Sequence, residues 1–186
     1  TLTSKFKKYS QVPTNGGLTG RDIAVRMIQD NGIRDVKVVR GTGTLTDHYN
    51  PVTKTVSLSP DVYDKASIAA AAVAAHECGH VVQHARGYKP LNMRSKIVPV
   101  VSFASRWMMW VLLAGIALIQ VAPGVMLAGI ILFGLTTLFS FITLPVEINA
   151  SKRAVAWLEQ AGITDSRTKP YAVDALKWAA YTYVIS

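Results

Sequence analysis

From Trp107 to Val146 the sequence runs for 40 residues without a charged side chain. Such a run leaves no polar face to turn towards water, so it constrains the fold more than any other feature of the chain. Pro123-Gly124 interrupts it near the middle. At ~1.5 Å rise per residue, each half approaches the ~20 residues needed to cross a bilayer. Val125 to Leu144 fits one span. The first span reaches full length when it begins near Ile97, which places Arg106 inside it, either snorkelling towards headgroups or paired within the protein. A hairpin buried in a soluble core is the competing reading, and the missing polar face argues against it. The expectation is a two-helix transmembrane hairpin over residues 97–145.

The charges at its two ends orient it. Arg86, Lys89, Arg94 and Lys96 precede the hairpin, Lys152 and Arg153 follow it, and the connecting turn carries no charge. Positive charge is retained in the cytoplasm, so both ends and the polar parts of the chain belong there. A net charge of +9 raises the question of nucleic acid. The basic residues are scattered, however, and no nucleic-acid-binding motif accompanies them, so the lipid bilayer is the expected partner and nucleic acid is not. With Cys78 as the only cysteine, no intrachain disulfide can form. The chain opens on Thr1, as expected of a processed chain, and "TLTSKFKKYS" has no apolar stretch of the kind a secretory signal carries.

The remainder reads as a single membrane-embedded domain over 1–186, with a small α+β part at 12–64. Apolar spacing over "TGRDIAVRMIQDN" (19–31) predicts a helix stopped by Gly32. "VKVV" (36–39) and "KTVSLS" (54–59) predict strands, with "GTGTLTDHYNP" a loop between them. Ser59-Pro60 starts a helix, and a second start near Asp64 to Ser67 leads into an alanine-rich helix within 65–87. After Pro145, C-terminal helices are expected over 146–186, one ending at Gly162 and one starting at Pro170.

The alanine-rich helix carries "AAHECGHVVQH". His76, Glu77 and His80 form H-E-x-x-H, and residues four apart on a helix lie ~40° apart and one turn apart in height. Both imidazoles therefore reach one metal, and Glu77 stands beside it to take a proton from a water. That arrangement suits amide hydrolysis, with zinc polarising the carbonyl and Glu77 as general base. A catalytic zinc takes a third protein ligand. His84 is two turns from His76, ~12 Å along a straight helix, too far for one ion. It is left as a supporting, structural or exposed residue.

Glu159 looks solvated, whereas Glu147 follows the second span directly. A hairpin returns to where it entered, so Glu147 comes back beside the helix that precedes it and is the expected third ligand. Asn149 and Ser151 are candidates to orient a histidine or the carboxylate, with plain helix surface as the alternative. Cys78 lies ~200° round the helix from His76 and is expected in the core. Gly79 offers room for another backbone.

The runs "GLTGRDIA", "LTDHYNPVTKTVSLSPDVY", "AAHECGHVVQHARGY" and "TLPVEINASKRA" resemble, in the same order, the YugP-type membrane zinc metallopeptidases of bacteria. More distantly, the chain is similar to the HtpX heat-shock proteases and the CAAX prenyl endopeptidases, which share H-E-x-x-H, membrane helices and a later glutamate in an E-x-x-A helix. Here the matching residues are His76, Glu77, His80, Glu147 and Ala150, with Ser151 where those relatives carry aspartate. The resemblance implies an α+β membrane protein. Its mostly helical, zincin-like core would have a small sheet, and the hairpin would be inserted between the metal ligands. It implies gluzincin-like hydrolysis of a polypeptide substrate in the bacterial cytoplasmic (inner) membrane, the chain being multi-pass and its active site facing the cytoplasm. It also implies that "TKTVSLS" aligns an extended substrate, with His48 or Tyr49 as candidate oxyanion donors, turn and core packing being the alternative for both.

The reading is a Zn²⁺-dependent endopeptidase with Glu77 as base and His76, His80 and Glu147 as ligands. One rival is a membrane adaptor or chaperone with a structural metal, for which His48 is the spare ligand. The other is a latent peptidase that needs a regulatory membrane partner.

Overall fold

The computed structural model describes residues 2–185, which divide into two compact units. One comprises Thr1–Tyr88 with Glu147–Ser186, and the other is Lys89–Val146.

In the first unit α1 (Leu2–Tyr9) precedes α2 (Gly20–Asp30). Thr19 caps α2 reciprocally: its hydroxyl accepts the Asp22 N–H, and the Asp22 carboxylate accepts its own N–H. Three short strands follow, β1 (Lys37–Arg40), β2 (His48–Asn50) and β3 (Thr55–Leu58), in the spatial order β1-β3-β2. β3 pairs parallel with β1 and antiparallel with β2, with Val38 opposite Val56 and Tyr49 opposite Val56 on the other side. Two sequence expectations are corrected here. Residues 48–50 are strand rather than loop, because the turn after Asn50 brings them back along β3. The "TKTVSLS" strand is central, with both of its edges already paired, so it has no free edge for a substrate.

Ser59 leads into α3 (Pro60–Tyr63), although its side chain makes no cap bond and turns to Asp47 instead. Ser67 caps α4 (Ile68–Ala85) by accepting the Ala70 N–H. α4 is the axis of this unit. Its Ala70, Ala71, Ala72, Ala74 and Ala75 are all but completely buried, and side chains this small let neighbours approach from every side. α2 and α7 (Lys169–Ile185) pack against it, as do α3 and β2. The core joins Ile23 and Met27 of α2, Val56 and Leu58 of β3, Ile68 of α4, and Leu158 further along the chain.

The second unit contains α5 (Lys89–Ala117) and the first part of α6 (Pro123–Gln160). Both helices are long and apolar enough to cross a membrane. Large apolar side chains such as Phe103, Trp110, Ile131 and Phe141 stand exposed on them. Water would not tolerate so much exposed apolar surface, whereas lipid would. Gly115 lets the two helices close on each other, since a Cβ there would lie 2.7 Å from Met126 Cα. α6 does not stop at Pro145 as the sequence suggests: it runs on as one helix to Gln160. The proline removes a single N–H, and with it one bond to the carbonyl four residues back.

Candidate metal centre

Within the first unit, the later part of α6 lies against α4. The contact is backbone to backbone: a Cβ on Gly79 would fall 2.5 Å from the Ala150 carbonyl oxygen. Further along, the Trp157 indole N–H donates to Asp30 of α2 at 3.0 Å and fixes the register.

This packing brings three donors together. His76 and His80, one turn apart on α4, present rings 4.9 Å apart and nearly perpendicular. His76 Nε2 lies 2.7 Å from Glu147 Oε2. His80 Nε2 lies 3.2 Å from Oε1 of the same carboxylate. One ligand atom from each residue falls within 4.8 Å of the others. The Glu147 side chain is only 4% exposed, and burying a carboxylate so deeply costs several kcal/mol unless a cation offsets it.

The surrounding hydrogen bonds settle which nitrogen of His80 carries its proton. The Arg153 guanidinium can only donate, so the Asn149 atom it meets at 2.8 Å is the amide oxygen. That oxygen also accepts the Gln83 amide N–H at 2.9 Å. Gln83 therefore turns its own oxygen to His80 Nδ1, 2.9 Å away, and Nδ1 must be the N–H. His80 Nε2 faces the Glu147 carboxylate, and what joins them is a cation, either a proton held on the ring and donated to the carboxylate or a metal ion. A divalent metal fits, with two imidazole nitrogens and a carboxylate oxygen as its donors, the set that suits zinc. His76 is held in the same way, its Nδ1 lying 2.9 Å from Ser151 Oγ. Ser151 thus holds the His76 ring in place.

Glu77 lines the same cavity as His76 and Glu147. Burial raises its carboxyl above the usual range, and the two imidazoles pull the other way. Asp47, just before β2, lines this cavity too, and burial likewise raises its carboxyl. The other sequence candidates lie elsewhere. The Tyr49 hydroxyl meets His84 Nδ1 at 3.0 Å, in a separate cavity with Val81 and Lys54. His48 is exposed, its Nδ1–H donating to the Thr46 carbonyl at 2.8 Å. Cys78 is buried against the Ala24 carbonyl, as expected of a packing residue. Among the described residues, His76, His80 and Glu147 gather without a fourth His, Cys or carboxylate joining them.

Sequence reading missed Gln83 and Asp47. Gln83 lies one turn after His80 and is fully buried, but its role depends on Asn149 and Arg153 of α6, which the spacing along α4 does not report. Gln83→Leu keeps the volume but removes the acceptor for His80 Nδ1–H. Zinc affinity, measured by competition with a chromogenic chelator, is expected to fall ~10–100-fold, as for other partners that hold a ligand in place.

A helix-borne histidine pair completed by a glutamate from a second helix defines a candidate mononuclear metal centre. The chain belongs to the family described as "Putative neutral zinc metallopeptidase", which it matches over residues 1–186. It is 43% identical over 190 residues to a Bacillus subtilis (strain 168) protein named "Putative membrane protease YugP", covering 98% of this chain and 80% of that relative. No solved structure matches the chain.

Proposed function

We propose that the protein is a zinc-dependent endopeptidase of gluzincin type. On this reading it hydrolyses polypeptide at the cytoplasmic surface of the bacterial cytoplasmic membrane, anchored by the α5–α6 hairpin. The observation that carries the reading is the three-donor cluster with Glu77 beside it in one cavity. Bound there, zinc supplies a Lewis acid that polarises a carbonyl and lowers the pKa of water. His76, His80 and Glu147 hold it, while Ser151 and Gln83 keep the imidazoles turned towards it. Glu77 is placed to take the proton from the attacking water and to pass it on to the leaving amine. A three-donor set leaves a coordination position free, which favours hydrolysis over a structural metal. Of the sheet's two free edges, that of β2 adjoins the segment lining the cavity, so an extended substrate is assigned to β2 rather than to β3.

The test uses the full chain in detergent, loaded with zinc, and unfolded casein as substrate. Cleavage is expected, abolished by phenanthroline and restored by added zinc. Stoichiometric zinc with neither cleavage nor hydroxamate binding would sink the reading in favour of an adaptor with a structural metal. Hydroxamate binding without cleavage would point to a latent enzyme awaiting a membrane partner.

A further inference from the structure

We infer that the second cavity, around Tyr49 and His84, binds a small monocarboxylate carried on an apolar stem. The site is separate from the metal centre and does not depend on the peptidase reading. It measures about 400 Å³, within the range of small-ligand sites. Three parts of the fold meet around it: the loop from α2 to β1, the hairpin of β2 and β3, and the last turns of α4. His84 follows His76 by two turns of α4, ~12 Å along the axis, so the two cavities are reached from different stretches of one helix.

The charges of the lining do not cancel. Lys54 donates to Asp35, so these two satisfy each other. Arg34 also lines the cavity, and it has no ion pair or hydrogen bond among the described residues. One positive charge is left over, on an exposed and flexible side chain at the rim. The Tyr49–His84 pair adds a donor whichever way its hydrogens lie. Burial raises the Tyr49 hydroxyl above its ordinary value, so it keeps its hydrogen, and a neutral imidazole carries one more. Only one of the two is used in the contact between them. If the hydroxyl donates to Nδ1, the ring N–H is at Nε2; if Nδ1–H donates, the hydroxyl hydrogen is left. Neither group has another partner among the described residues. A half-buried donor of this kind is satisfied by an acceptor in the cavity.

These features select the ligand. A guanidinium matches the planar, two-oxygen edge of a carboxylate. With Arg34 on that edge, one carboxylate oxygen is free to accept from the Tyr49–His84 pair. Ile33, Val36, Val81 and Ala85 complete the lining and give an apolar stem a surface to cover. A phosphate dianion carries more charge than the cavity offsets and meets the Asp35 carboxylate besides. A neutral amide of the same shape leaves Arg34 without its counter-charge.

The test uses zinc-loaded full chain in detergent, isotope-labelled in its histidine rings and followed by NMR. The probes are isocaproate, its amide and inorganic phosphate. The His84 signals, assigned by their loss in His84→Gln, report whether a probe enters this cavity. Isocaproate is expected to shift them saturably and to bind at least ~10-fold tighter than the amide or phosphate, as for a charge-assisted hydrogen bond. Arg34→Gln keeps a polar side chain at an exposed position and should weaken isocaproate binding at least ~10-fold. Arg34→Lys, which keeps the charge but lacks the fork, should fall between the two. A carboxylate that binds the metal instead would shift His76 and His80 rather than His84 and would be indifferent to Arg34. That result overturns the site, as do equal affinities for acid and amide or an unchanged affinity in Arg34→Gln. Tighter binding of phosphate overturns the assignment to a carboxylate.

Discussion

Glu77→Gln is expected to reduce casein cleavage by at least ~10²-fold, the lower end of what a positioned general base contributes, while leaving zinc content at the parent level. The amide has the same shape as the carboxyl but accepts no proton. Glu77 stands outside the three-donor cluster, so the metal donors remain complete. Stability should move the other way from activity. Burial already disfavours the charged form of Glu77, and a neutral amide escapes that penalty. Thermal unfolding of the variant is thus expected at the parent temperature or above it, as for other residues kept for chemistry at a cost in stability. Parent-level cleavage by the variant would mean that Glu77 is not the base. Lost cleavage accompanied by lost zinc would mean that it supports the metal instead.

The histidine pair on α4 was legible because helical periodicity is local: an i, i+4 pair faces one way whatever surrounds it. The two long apolar helices were legible for a related reason, since forty uncharged residues have few places to go. Gly79 was read as a point of close approach, and its contact with the Ala150 carbonyl bears that out. What the sequence concealed depends on tertiary arrangement. Gln83 orients His80 only because α6 lies alongside α4 with Asn149 and Arg153 in register, and no local pattern reports that. The strand order was hidden because strands of three or four residues carry too little alternation to say which one is central. α1 was unforeseen as well. Its eight residues, three of them lysine, are too few to establish a helical period, yet Phe6 and Tyr9 pack it on one side.

Glu147→Ala is expected to lose zinc by more than the ~10–100-fold predicted for removing a partner that merely orients a ligand. Two imidazoles without a carboxylate bind zinc weakly and leave its charge uncompensated in a buried site. The separation from a structural effect lies in the comparison of zinc-free and zinc-loaded protein. In the parent, zinc binds the folded chain and should raise the unfolding temperature with zinc concentration, by linkage. In the zinc-free protein, Glu147 is a buried carboxylate facing two imidazoles, so its loss relieves a desolvation cost while opening a small void. Those terms oppose each other, and the zinc-free unfolding temperature should change little. The zinc-dependent rise, by contrast, should disappear together with hydroxamate binding. If the variant keeps its zinc and its zinc-dependent rise, Glu147 is a counter-charge and not a ligand. The third donor must then be sought among the other groups of the same cavity, where the carboxyls of Glu77 and Asp47 also stand.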